Sequence, residues 1–214
     1  MKLLADLEDE HRLIERVIGA FLAFAHERAE GRGERAHGPA FSRFFRLFAG
    51  HHHHAAEEAL LFPALIRDTS APDDRGPIVT LLADHRIIAG LLARLEPLLA
   101  GDEAPSALPE HAARYGEALL HHIDAENHVL FPEAARRFQR AGVAELDAPP
   151  RSDEARAAQA EGEALALRYP AREIPGIVRG ESCTACPAFG DRCEGIERTW
   201  SSDDEWDDML DRVG

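Results

Sequence analysis

Through the first two thirds of the chain, apolar residues recur at alternating threes and fours, the spacing of a helix face turned to a core. Leu4, Leu7, His11, Ile14, Ile18 and Leu22 form one such stripe. It predicts a helix from about Asp6 to Ala29, stopped by Gly31-Arg32-Gly33. A second helix is predicted from Pro39 to Arg67, with Phe45, Ala49, His53, Ala56, Glu57 and Leu60 on its stripe. A third runs from Pro77 to Ala100, where Ile78, Leu81, His85, Ile88, Leu92, Leu95 and Leu99 repeat every seven residues. The fourth runs from Ser106 to Arg140 and carries Tyr115, Ala118, His122, Ala125 and Val129 on one face. Alternating Val/Ile/Thr runs and Asn-Gly turns are lacking, so the expected fold class is all-α, an up-down four-helix bundle over residues 1–140.

Each stripe contains one histidine where an apolar residue is expected, and the pattern is duplicated. Glu10-His11-Arg12-Leu13-Ile14 resembles Asp84-His85-Arg86-Ile87-Ile88, and His53-x-x-x-Glu57 with Leu61-Phe62-Pro63 resembles His122-x-x-x-Glu126 with Leu130-Phe131-Pro132. Histidine and glutamate four apart share a helix face, so each pair can present an imidazole and a carboxylate to one ion. Facing helices then gather four histidines and two glutamates. That is too much carboxylate for a structural zinc site and too much imidazole for calcium or magnesium. It suits two iron or two manganese ions bridged by carboxylates. A single seam histidine is more often a hydrogen-bonded core residue; the coincidence of four in a duplicated frame favours the metal. Matching Phe62 to Phe131 sets the register as His53–Glu57 rather than His54–Glu58, with His54 at the edge as a further ligand or an outer hydrogen-bonding group. His26, His37 and His111 are expected at the surface, and His128 is expected to point away from the metals.

This ordered set resembles the hemerythrin-like, or HHE cation-binding, family over roughly residues 5–140. The resemblance implies a four-helix bundle with a non-heme di-iron centre, its ligand positions falling on His11, His53, Glu57, His85, His122 and Glu126. It implies dioxygen, hydrogen peroxide or nitric oxide as the small ligand, with peroxide- or NO-consuming turnover an open question. Oxygen-carrying hemerythrins have two histidines four apart on the third helix, whereas Ala89 stands four after His85. That departure favours peroxide or nitric oxide chemistry over simple oxygen carriage. Two rival readings are an iron donor, iron–sulfur cluster repair or iron storage-type protein, the repair relatives usually carrying their cysteines N-terminally, and a non-enzymatic oxygen or redox sensor.

Charge and composition narrow the partners. The 214 residues carry a formal net charge of -15, which disfavours a phosphate backbone as partner. No apolar run is long enough to span a membrane, and an acidic N-terminus without a signal-peptide core leads to the expectation of a cytoplasmic protein. A homodimer stays open. All 12 histidines lie at or before His128, and all three cysteines lie after residue 180, so residues 141–214 are expected to form a C-terminal extension. Ser152 to Leu167 reads as a capped helix, Tyr169 to Gly180 as loop, and residues 200–214 as a short acidic helix or a solvated tail. Cys183-x-x-Cys186 with Cys193 could ligate zinc or an iron–sulfur cluster; the alternatives are a reduced loop or a redox-labile Cys183–Cys186 pair.

Overall fold

The computed structural model describes residues 1–101, 106–148 and 150–174. No strand occurs among them. The first helix, α1, spans Lys2–Ala29 and so starts four residues before the expected Asp6. Lys2 makes this extra turn possible: its N–H donates to Glu145 Oε2 (2.9 Å) and its ammonium pairs with Asp6 one turn on. The second helical stretch is composite. It comprises α2 (His37–Arg43), a wide π-helical segment π1 (Phe44–His54), a second π2 (Glu57–Leu61) and α3 (Phe62–Thr69). The third, α4, is Pro77–Ala100, as the heptad pattern predicts. The fourth comprises α5 (Leu108–Ala125), π3 (Glu126–Leu130) and α6 (Phe131–Ala141), ended by Gly142 at φ 72°, a left-handed turn that glycine makes without strain.

The widened turns explain the Leu-Phe-Pro motif. Pro63 and Pro132 have no N–H to donate, and a proline ring inside a regular helix collides with the carbonyl four residues back. In both repeats the helix expands just before the proline: Phe62 N–H bonds to Glu57 O, and Phe131 N–H to Glu126 O, five residues back. On a regular helix, residues five apart would sit about 140° apart. The wider turn brings each phenylalanine back toward its glutamate's side. Phe62 stacks on His85 (centroids 6.0 Å) and Phe131 on His11 (5.4 Å), so each motif buttresses a histidine on a neighbouring helix.

Two apolar clusters divide the core. One gathers Leu13, Ile14, Phe21, Phe41, Phe45, Ala49, Ile88, Tyr115 and Leu119 among others. The second gathers Leu7, Ala56, Phe62, Leu81, Ala125 and Phe131 among others. Each of the four helical stretches crosses from one cluster to the other, in alternating direction, at or next to its histidine: His11, His53, His85 and His122. The polar layer is therefore sealed by hydrocarbon on both sides.

A fifth helix, α7 (Asp153–Arg168), is capped by the Ser152 hydroxyl accepting from Ala155 N–H (3.1 Å). It packs on α1, α2 and π1, and Ala158, Leu165 and Tyr169 enter the first apolar cluster. Gly162 permits this close approach, because a Cβ there would stand 2.2 Å from the Phe44 ring. Tyr169 hydroxyl lies 2.7 Å from His37 Nδ1, so His37, expected at the surface, is a half-buried anchor for the chain beyond α7. His26 is half-buried too, and His111 is exposed as expected. The described part of the Tyr169–Gly180 segment has no regular structure. Cys183, Cys186, Cys193 and the acidic terminus lie outside the described residues.

Candidate metal centre

At the boundary between the two apolar clusters, the four seam histidines and both glutamates converge. Glu57 and Glu126 are wholly buried, and none of their four carboxylate oxygens has a hydrogen-bond partner. Glu57 places Oε1 at 3.5 Å from His53 Nε2 and Oε2 at 3.4 Å from His85 Nε2. Glu126 Oε2 lies 3.2 Å from His11 Nε2 and 3.3 Å from His122 Nε2. Each carboxylate therefore faces one histidine from each half of the repeat.

The outer partners fix which nitrogens point inward as lone pairs. His53 Nδ1 donates to Glu10 Oε2 (2.9 Å) and His11 Nδ1 to Asn127 Oδ1 (2.7 Å). With those protons outward, the two Nε2 atoms face each other as lone pairs at 2.9 Å. In the second half, His85 Nδ1 donates to Glu58 Oε1 (2.7 Å) and its Nε2 lies 3.1 Å from His122 Nε2. Facing lone pairs repel unless a cation lies among them. Separations near 3 Å are those of neighbouring ligands at bonds of about 2.1 Å.

Two groups of four follow, with ligand atoms all within 4.8 Å of one another: His11, His53, Glu57 and Glu126, and His54, Glu57, His85 and His122. Glu57 belongs to both. His54, which the sequence left between two roles, stacks on His85 at 4.0 Å with its Nε2 buried and unpaired. Glu58 is instead partly exposed and acts on His85 from outside. His128 points away, its ring bonded to the Asp124 carbonyl.

Left to protons alone, the cluster is electrostatically strained. Burial, reinforced by the charge of Glu126, raises the Glu57 carboxyl above the usual range. Burial also pushes Glu126 up to about 8. His54 and His122 are held well below the ordinary imidazole value by burial and then by the charge of His85. His85 goes the other way, to about 9: burial opposes its charge, but the Glu57 carboxylate 3.4 Å away and the charge of Glu126 prevail. Multivalent cations would relieve all of these at once.

Sequence reasoning missed the outer partners. The acidic residue before each seam histidine was visible as Glu10-His11 and Asp84-His85, yet it serves the histidine of the next helix. Glu10 holds His53, while Asp84 lies 3.8 Å from His122 Nδ1, beyond hydrogen-bond reach. Arg151, which bonds Glu10 Oε1 at 2.7 Å from far along the chain, gave no sequence signal.

No helix among the described residues is long and apolar enough to cross a membrane. No curated protein and no solved structure matches the chain. A family model does match, that of the hemerythrin HHE cation-binding domain, over residues 2–134. That span holds every side chain of the two convergent groups, and the chain belongs to the hemerythrin HHE cation-binding family.

Proposed function

We propose that the protein is a cytoplasmic non-heme di-iron protein, built on an up-down four-helix bundle, that binds, senses or turns over dioxygen, hydrogen peroxide or nitric oxide. The observation that carries this reading is the pair of buried glutamates, each placed between histidines of the two repeats, with all four oxygens unbonded. His11, His53, Glu57 and Glu126 would hold one iron, and His54, His85, His122 and Glu57 the other. His54 then fills the place left by Ala89, so this chain reaches five histidine ligands by another route. When bound, an iron pair supplies one- and two-electron redox chemistry and Lewis acidity toward a small ligand.

The protein's own part is selection and exclusion. A cavity of about 250 Å³ lies between π1 and α4, lined by Phe45, Gly50, His54, Ala89, Leu92 and Tyr115, among others. The Arg46–Glu96 ion pair (2.8 Å), partly exposed, stands on its wall, and the His54 ring lies on the buried side. Gly50, with no side chain, and Ala89, with only a methyl, keep this space open to molecules of a few atoms. The mostly apolar walls give water few partners, which favours weakly hydrated ligands such as dioxygen and nitric oxide.

Metal analysis after anaerobic Fe(II) loading, followed by visible spectra on adding oxygen, peroxide or nitric oxide, tests the reading. Two irons per chain and a new charge-transfer band with at least one ligand are expected. Fewer than one iron per chain would overturn it.

A further inference from the structure

We propose that Arg151, just before α7, is a positioning residue for the metal centre, fixing His53 through Glu10. Resting on the di-iron reading above, this makes residues beyond the matched span 2–134 a working part of one half of the centre.

The chain of contacts is short and mostly buried. Arg151 donates from a terminal guanidinium nitrogen to Glu10 Oε1 (2.7 Å), and Glu10 Oε2 accepts from His53 Nδ1 (2.9 Å). His52 Nε2 lies 2.9 Å from the same Glu10 Oε1 and 3.3 Å from Arg151 Nε. Both carboxylate oxygens are thus engaged, and Glu10 is only 5% exposed. A buried carboxylate needs a compensating charge to remain ionised, and of these three partners only arginine is permanently charged. The guanidinium also lies 5.7 Å from the centre of the Phe48 ring, one turn before His52. Ser152 caps α7 immediately afterwards, and Gly162 seats that helix against Phe44, so the approach of Arg151 is set by a docked helix.

The consequence is an asymmetry between halves that the duplicated motif does not show. His53 has its outer nitrogen bonded to an ionised carboxylate. Its counterpart His122 has a buried, unpaired Nδ1, with Asp84 at 3.8 Å. An outer carboxylate orients an imidazole and raises its basicity toward a metal. The other group has one outer carboxylate, Glu58 on His85 (2.7 Å), and it is exposed to water, whereas Glu10 is buried and held by Arg151. The site of His11 and His53 is therefore the tighter of the two, and Arg151 makes it so.

The test uses the full chain as wild type, Arg151→Ala, Arg151→Lys, Glu10→Gln and the Glu10→Gln/Arg151→Ala double variant. Fe(II) affinity is measured anaerobically by chelator competition, and the His53 Nδ1–H resonance is followed by NMR without metal. Arg151→Ala should weaken the tighter of the two sites about 10-fold, leave the weaker within about 2-fold, and broaden or abolish the His53 resonance. Arg151→Lys should recover part of both. In the Glu10→Gln background Arg151→Ala should add less than about 2-fold, since a residue acting through Glu10 has nothing left to act on. Equal weakening of both sites, undiminished by Glu10→Gln, would show that Arg151 only docks α7 and would overturn the proposal. So would unchanged affinity with an unchanged His53 resonance. A wild-type chain that takes up no iron would defeat the di-iron reading instead, and the metal-free NMR comparison would still decide whether Arg151 positions His53.

Discussion

Glu126→Gln should have opposite effects on the metal-free and metal-loaded protein. In the fold Glu126 keeps its proton up to about pH 8, against 4.5 for the exposed side chain. Between those values the unfolded chain binds fewer protons than the native one, so metal-free stability falls as pH rises from about 4.5 to about 8. At pH 7 this amounts to about 3–4 kcal/mol, taking 1.36 kcal/mol for each pH step above the exposed value. Glutamine has the same shape and cannot ionise, so the metal-free variant should lose that slope and melt higher than wild type at pH 7. For a chain of this size, that much stability corresponds to roughly 7–14 °C. With iron the order reverses. The variant lacks one anionic ligand of the group of His11, His53 and Glu57, should hold about half of the wild-type iron, and should gain less than wild type from added metal. Melting curves of chelated and iron-loaded protein at pH 5, 6, 7 and 8 read both signs. A metal-free variant that melts no higher than wild type at pH 7, or keeps full iron content, would refute the placing of Glu126 as a buried carboxylate without a hydrogen-bond partner that serves the group of His11 and His53.

Four other substitutions probe separate parts of the structure. His54→Ala should lower iron uptake toward one per chain, because His54 contributes to only one of the two convergent groups; two tightly held irons would return it to an outer role. Ala89→Phe should leave iron content unchanged and slow the reaction with peroxide or nitric oxide at least 10-fold by filling the cavity beside His54, as stopped-flow spectra would show. Gly162→Ala should destabilise by about 1–3 kcal/mol, measured by urea unfolding, since its methyl must displace the Phe44 ring. His37→Ala should cost about 1 kcal/mol through loss of its bond to Tyr169, again by urea unfolding, with iron content untouched.

The helices and the inner residues were legible because burial imposes a period. A histidine kept among leucines at threes and fours has to face the core, and four such histidines in a duplicated frame have to meet. The bounds of α4 follow directly from Pro77 at one end and from Gly101, two residues after the last leucine, at the other. The π turns were less legible, although their signal was on the page: a proline six residues after each glutamate, inside a helix that continues past it. A proline there has to be accommodated, and widening the preceding turn is the remedy that lets the helix run on. The same widening explains why Phe62 and Phe131, five residues after Glu57 and Glu126, reach a histidine of the neighbouring helix.

What periodicity cannot encode is a contact between segments far apart in sequence whose only requirement is one charge. Arg151 sits in no stripe, and any of the chain's arginines would look the same in composition. Its partner Glu10 shares a helix with ordinary solvent-facing acids such as Glu8 and Asp9, and differs only in being covered. The covering comes from π1, which carries His52 and His53, and from the segment leading into α7, which brings the guanidinium. The extension therefore matters to the centre in two ways, through the hydrocarbon of Ala158, Leu165 and Tyr169 in the first apolar cluster and through the charge on Glu10. Shortening the chain after Pro150 removes both together, whereas Arg151→Ala removes the charge and leaves the hydrocarbon. Comparing the two separates what holds the helices in place from what holds His53.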